Sequence, residues 1–233
     1  MELPFVRFSR LLLLGPGLML LWACSSTNVV NLEGSDSTRF TDLRASFPVS
    51  KQDENERIKI RYTRAKGEFV QEIADGKVVD FEDFQLTGPD QVSAITDVTT
   101  ASISYGRIGE AIRHNFYVSA FGGINRTNFE IDMESESGLT TGVRNRSFEV
   151  YADLGVYHLL VPYLAVGLEA AFSRNLSLSG ITEWGAIVKF RPSRHMEIIG
   201  GYRWFKYDYF TTDYDSGIIV ELNGPFIGLD LSF

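Results

Sequence analysis

The chain has 233 residues, 44% of them hydrophobic, with 22 Lys plus Arg against 30 Asp plus Glu and one cysteine. A net charge of −8 argues against nucleic acid as a partner, and a lone cysteine excludes an internal disulfide. Beyond residue 23 no run of 18 or more apolar residues occurs, which excludes membrane-spanning helices.

Residues 1–23 read as a signal peptide. Arg7 and Arg10 precede an apolar run from Leu11 to Ala23 that is broken by Gly15-Pro16-Gly17. The run falls short of the ~20 residues a spanning helix needs. Its end, Leu21-Trp22-Ala23-Cys24-Ser25-Ser26, resembles a bacterial lipobox, although Trp22 is bulkier than that pattern places there. The resemblance implies cleavage before Cys24 and lipidation of Cys24. The absence of Asp after Cys24 implies sorting to the outer membrane within that family. Ordinary signal cleavage beside an unrelated cysteine is the alternative. Losing Glu2, Arg7 and Arg10 leaves 20 basic against 29 acidic residues, a net charge of −9.

Residues 24–56 are rich in Ser, Thr, Asn and Asp, show no sustained period, and read as a flexible periplasmic tether. A chain of that length spans roughly 30 Å root-mean-square. A small N-terminal strand or plug is the alternative, since Phe40, Leu43 and Phe47 offer apolar surface.

Residues 57–233 read as about eight segments of alternating hydrophobicity separated by turn residues, the pattern of an antiparallel up-and-down barrel. In the first, Ile58, Ile60 and Tyr62 alternate with Lys59, Arg61 and Thr63. The second, Ser93 to Tyr105, has Ser and Thr on both faces, and the third runs from Asn115 to about Glu130. In the fourth, Phe148, Val150, Ala152 and Leu154 oppose Glu149, Tyr151 and Asp153. The fifth sets Leu164, Val166, Leu168 and Phe172 against Ala165, Gly167 and Glu169, and the sixth sets Trp184, Ala186 and Val188 against Glu183 and Lys189. The seventh opposes Ile198, Tyr202 and Trp204 to Glu197 and Arg203. The eighth, about Ile218 to Phe233, alternates cleanly at its end, and Asn223-Gly224-Pro225 reads as a bulge because proline cannot donate to the ladder. Long polar connections are expected around residues 70–90 and 135–144, with mostly short ones between.

One set of faces gathers mixed charges, Lys59, Arg61, Glu149, Asp153, Glu169, Glu183, Lys189, Arg191, Glu197 and Arg203, which suits a crowded interior where charges pair. The other is apolar, with Phe172, Trp184 and Trp204 toward one end and Phe116, Phe190 and Phe233 toward the other, like two interfacial aromatic belts. These features, with a final strand closing on Phe233, resemble the small eight-stranded bacterial outer-membrane β-barrels, the OmpA-type transmembrane domain and its relatives. The resemblance implies an all-β transmembrane barrel with both termini in the periplasm. It further implies outer-membrane lipids as neighbours and recognition of the Phe233 strand by the barrel-assembly machinery. An eight-stranded interior is just wide enough for side chains, so the expected role is structural or surface-interacting, without an open pore and without catalysis.

Two alternatives stay open. Some small outer-membrane barrels modify lipid A and need a His near the outer leaflet. This chain has only His114, His158 and His195, all expected at the opposite turns. A lipid-tethered lipocalin-like ligand binder shares the up-and-down topology. No cofactor or metal is implied: the three histidines lack a diagnostic spacing. Asp213 and Asp215 begin like a calcium loop, but Gly224 stands where the bidentate Glu belongs.

Overall fold

The computed structural model describes residues 28–32, 38–50, 53–76, 78–81, 84–110, 115–210 and 216–233. The signal peptide, Cys24 and His114 lie outside the described residues. Twelve strands and no helix are found among the described residues. They are β1 (Asn28–Leu32), β2 (Arg39–Pro48), β3 (Glu56–Ile73), β4 (Val78–Phe81), β5 (Phe84–Thr87) and β6 (Asp90–Glu110), then β7 (Phe116–Ser135), β8 (Thr140–Val161), β9 (Leu164–Arg174), β10 (Gly180–Ser193), β11 (Met196–Phe210) and β12 (Ser216–Ser232).

Nine of these close a barrel in the order β2-β3-β6-β7-β8-β9-β10-β11-β12, with β12 returning to β2. The all-β expectation holds, whereas eight strands and a purely antiparallel order do not. The ninth strand is β2, inside the stretch expected as a tether. It pairs antiparallel with β3 from Arg39↔Lys66 to Pro48↔Arg57, and parallel with β12 from Phe226↔Phe40 to Ser232↔Ser46. An odd number of strands joined by hairpins cannot close antiparallel everywhere, and the single parallel seam falls between the first barrel strand and the last.

β1 runs parallel along the same edge of β12, from Asn28↔Ser216 to Leu32↔Val220. The described chain therefore begins at one rim, beside Ser216, and ends at the other, at Phe233. An even, antiparallel barrel would have brought both ends to one rim.

At the Phe233 rim lie the strand ends Pro48 and Glu56, Glu110 and Phe116, Val161 and Leu164, and Ser193 and Met196. At the Asn28 rim lie the strand ends Ile73 and Asp90, between which β4 and β5 pair with each other, Phe210 and Ser216, and the turns over residues 136–139 and 175–179. The long polar loop expected over 135–144 is instead a four-residue turn between extended strands, because its polar side chains lie on solvent-facing strand positions. No bulge occurs at Asn223-Gly224-Pro225: β11 and β12 stay in register from Met196↔Leu231 to Phe210↔Gly217. Residues 221–225 fall between the stretches of β12 that pair with β1 and β2, so only β11 constrains the ladder there. Register shifts sit at Phe190/Ser193 and Leu159/Val161 instead.

Along the longer strands the inside and outside exchange chemistry partway up. Toward the Phe233 rim β3 presents Ile58, Ile60 and Tyr62 outward and Lys59, Arg61 and Thr63 inward; farther along it turns Arg64, Lys66 and Glu68 outward and Ala65 and Phe69 inward. β7 makes the same exchange between Ile124 and Arg126, and β8 between Phe148 and Arg146. Strict period-two geometry keeps each residue on its face, so only the residue types change. The upper half is filled by an apolar core that includes Leu32, Phe69, Phe129, Ile131, Ile218 and Leu222. Each such side chain contributes about 1.5–3 kcal/mol by leaving water.

Candidate functional site

Two features distinguish the half nearer Phe233: a buried ion network inside and an exposed apolar band outside. The network centres on Asp42, which β2 holds fully buried at the seam. Arg44 donates Nε to Asp42 Oδ1 at 3.0 Å and Nη2 to Oδ2 at 2.9 Å, Arg61 donates Nη2 to Oδ2 at 2.8 Å, and Arg203 donates to the same oxygen. Both Nη groups of Arg44 reach Glu169 at 2.7 Å, and Glu183 takes Arg61 at 2.5 Å and Arg203 Nε at 3.0 Å. Lys59 pairs with Asp153 at 2.7 Å, and Lys189 stands 3.4 Å from Glu169. Glu149 is held by neutral donors, Asn125 at 3.1 Å, Ser147 at 2.7 Å and Ser173. Aromatic faces complete the shell: Arg203 lies 4.0 Å from the Phe226 ring centroid and Lys189 3.8 Å from that of Tyr157.

Bidentate arginine pairs of this kind satisfy charges that burial would otherwise make costly. The cavity left between Arg61, Ser102, Asn125, Tyr151 and Glu183 is about 10 Å³, room for about one water. With the network below and the apolar core above, the interior is packed with side chains.

The band outside consists of Leu43, Ile60, Ile103, Ile124, Leu154, Leu168, Val188 and Ile227 with their neighbours, all exposed. Tyr62, Phe148, Phe172, Trp184 and Tyr202 edge it above, and Phe47, Tyr105, Phe116, Tyr163, Phe190 and Phe233 edge it below. The indoles of Trp184 and Trp204 stack across β10 and β11 with centroids 3.9 Å apart. From Leu164 to Phe172 the band covers eight steps of ~3.3 Å, which at a tilt of ~40° gives a height of roughly 20 Å.

Above the band's upper edge stands a row of cations. Arg64 and Lys66 pair with Asp97 at 2.5 and 3.1 Å, and Arg174 pairs with Asp208 at 2.9 Å. Burial pushes Asp97 up, but its hydrogen bonds from Arg64 and Lys66 outweigh this and hold it below the usual carboxylate range. For Asp208 burial wins over Arg174 and Lys206, and its carboxyl is raised.

Most of the residues expected inside are there: Lys59, Arg61, Glu149, Asp153, Glu169, Glu183, Lys189 and Arg203 face the interior. Arg191 and Glu197 do not join the network; they pair with each other at the Phe233 rim, Arg191 Nε donating at 2.8 Å. Asp42 and Arg44 lie within the stretch whose polar composition predicts a tether; the signal for a strand there is the inward set Phe40, Asp42, Arg44 and Ser46 alternating with Thr41, Leu43 and Ala45. Asp230 faces inward without an ion pair among the described residues, and its Oδ1 lacks a hydrogen-bond partner.

His158 lies against the Phe116 ring at 4.4 Å, and His195 Nδ1 is 2.9 Å from the Ser232 carbonyl oxygen, both at the Phe233 rim. Tyr207 is buried against Phe129 and Asp208 is buried beside Arg174, while residues 211–215, with Asp213 and Asp215, lie outside the described residues. Among the described residues no group of three or more His, Cys, Asp or Glu side chains is placed to hold a metal ion. No family model, curated protein or solved structure matches the chain.

Proposed function

We propose that the protein is an outer-membrane β-barrel with a closed interior, that it is not an enzyme, and that it acts through envelope structure or contacts made by the part standing outside the membrane. The observation that carries this reading is the exchange of chemistry along each long strand. A wholly soluble barrel has no reason to expose a continuous apolar belt over an interior full of ion pairs. A barrel immersed in hydrocarbon at one end and water at the other needs that arrangement below and the reverse above. The belt's height is close to the ~25 Å usual for outer-membrane barrels.

In this reading the Phe233 rim faces the periplasm, its final strand is what the assembly machinery recognises, and the Asn28 rim faces outward. Cys24, if acylated, then anchors the chain from the side of the Asn28 rim. Only three residues separate Cys24 from Asn28, a reach of at most about 14 Å. The lipid-modifying alternative is less well supported, since His158 and His195 lie at the Phe233 rim. A lipocalin-like binder would need an interior cavity, and the space within this one is filled.

Heat-modifiability in detergent, read with membrane fractionation, tests the proposal. Unboiled and boiled protein should migrate differently, and the protein should sediment with membranes. Equal mobility together with a folded, soluble product sinks it. Loss of acyl labelling on Cys24→Ala tests the anchor separately.

A further inference from the structure

We propose that the outer surface of β7 and β8, at the upper edge of the apolar band, binds an anionic phospholipid: its phosphate on Arg126 and Arg146, an acyl chain in the groove beside them. The inference rests on the membrane reading above and names a specific lipid contact within it.

A groove of about 270 Å³ opens on the outside of the barrel, lined by Ala101, Ile103, Ile124, Arg126 and Phe148. Its origin is legible in the register. Tyr62, Ala101, Arg126 and Phe148 form one cross-strand row over β3, β6, β7 and β8. Ala101 presents only a methyl group where its neighbours are large, and the row is hollow there. Ile103 and Ile124 pair one step below and make the groove's walls apolar.

The charges at its head differ from those elsewhere on the same edge. Arg64 and Lys66 share Asp97, and Arg174 and Lys206 share Asp208. Arg126 has no such partner among the described residues; its guanidinium lies 6.0 Å from the Phe148 ring centroid. Arg146, the next outward residue on β8, gives Nε to the Asn128 amide oxygen at 3.0 Å and has no carboxylate partner among the described residues. The acid nearest in register is Glu130, which opposes Arg144 and accepts a bond from Asn128 at 3.4 Å.

Two guanidinium groups at the border of a hydrocarbon slab, without a protein anion, are costly unless the surroundings provide one. A phosphate does so with the fork geometry arginine matches best. The chain attached to that phosphate must continue into the bilayer, which is where the groove leads.

Native mass spectrometry of the purified full-length protein in a non-ionic detergent tests this with dilauroyl phosphatidylglycerol, dilauroyl phosphatidylcholine and inorganic phosphate as probes. Phosphatidylglycerol should bind about tenfold more tightly than phosphatidylcholine, and inorganic phosphate at equal concentration should not displace it. The double variant Arg126→Gln, Arg146→Gln should lose the preference. Ala101→Leu, which fills the groove, should weaken both lipids, and Lys206→Gln, on β11, should change nothing. Equal affinity of the wild type for the two lipids, or a preference that survives the double variant, overturns the lipid site. Displacement by inorganic phosphate overturns its acyl half. Heat-shift gels of the same samples separate the two levels. A heat-modifiable barrel without the preference loses only this site, whereas a protein soluble without detergent loses the membrane reading as well.

Discussion

Gly228 on β12 lies so close to Asp42 on β2 that a Cβ added to it would stand 2.2 Å from the Asp42 carbonyl oxygen. The two residues are partners in the parallel seam that closes the barrel, so the approach is between backbones and no side-chain rotation relieves it. Gly228→Val should open the seam, destabilising the barrel by more than about 2 kcal/mol. Gly109→Ala is the control, because a Cβ there meets nothing within 4 Å. Urea unfolding in detergent, followed by heat-shift gels, reads both. A stable Gly228→Val protein would mean that the seam does not close in this register.

The same seam carries the centre of the ion network. Asp42→Ala removes the carboxylate shared by Arg44, Arg61 and Arg203, leaving buried cations without compensation. A loss of about 3–5 kcal/mol is expected. Arg64→Gln, at an exposed pair with Asp97, should cost under about 1 kcal/mol by the same urea measurement. Similar costs for the two would show that the interior is wetter than its packing implies.

Trp184 and Trp204 sit on the outer face at the upper edge of the band, stacked on one another. In vesicles their fluorescence should be quenched by lipids brominated near the headgroup end of the acyl chain more than by lipids brominated at its terminus. The reverse order would place the stack deep in the bilayer and move the band's edge.

Since β1 and β2 run parallel to β12, an epitope inserted between Thr27 and Asn28 should be accessible to antibody on intact cells. One placed after Phe233 should become accessible only on permeabilisation. Periplasmic location of both tags would contradict the parallel closure.

Asp208 sets a pH dependence above the upper edge of the apolar band. Burial raises its carboxyl above the ordinary value despite Arg174 and Lys206, so in the pH interval between the unfolded and folded values the folded state binds more protons than the unfolded state. The sign is that stability from this group is present at acid pH and falls as pH rises through the folded value. Asp208→Asn should flatten that limb of the stability profile above the ordinary carboxylate value, and an unchanged slope would assign it to another group.

The alternation of residue types by itself determined the main strands between residue 57 and Phe233 and, for the first and the fourth to eighth segments, which side faces in, because side-chain direction in a strand follows from parity alone; the Ser- and Thr-rich second segment left its facing open. Lys59, Arg61, Glu169 and Arg203 were legible as interior charges for that reason. Parity does not say what a strand pairs with. Arg39–Pro48 is too short and mixed to stand out beside the longer segments, and its partner β12 lies more than 180 residues away in sequence. Only the closed structure therefore decided that the barrel has nine strands, that its seam is parallel, and that Asp42 is the carboxylate on which three arginines meet. The expected loop over 135–144 proved to be mostly strand on the same ground: outward Thr140 and Arg144 suit either a loop or a strand in water, and the inward Val143 gains its apolar partners only when the sheet closes.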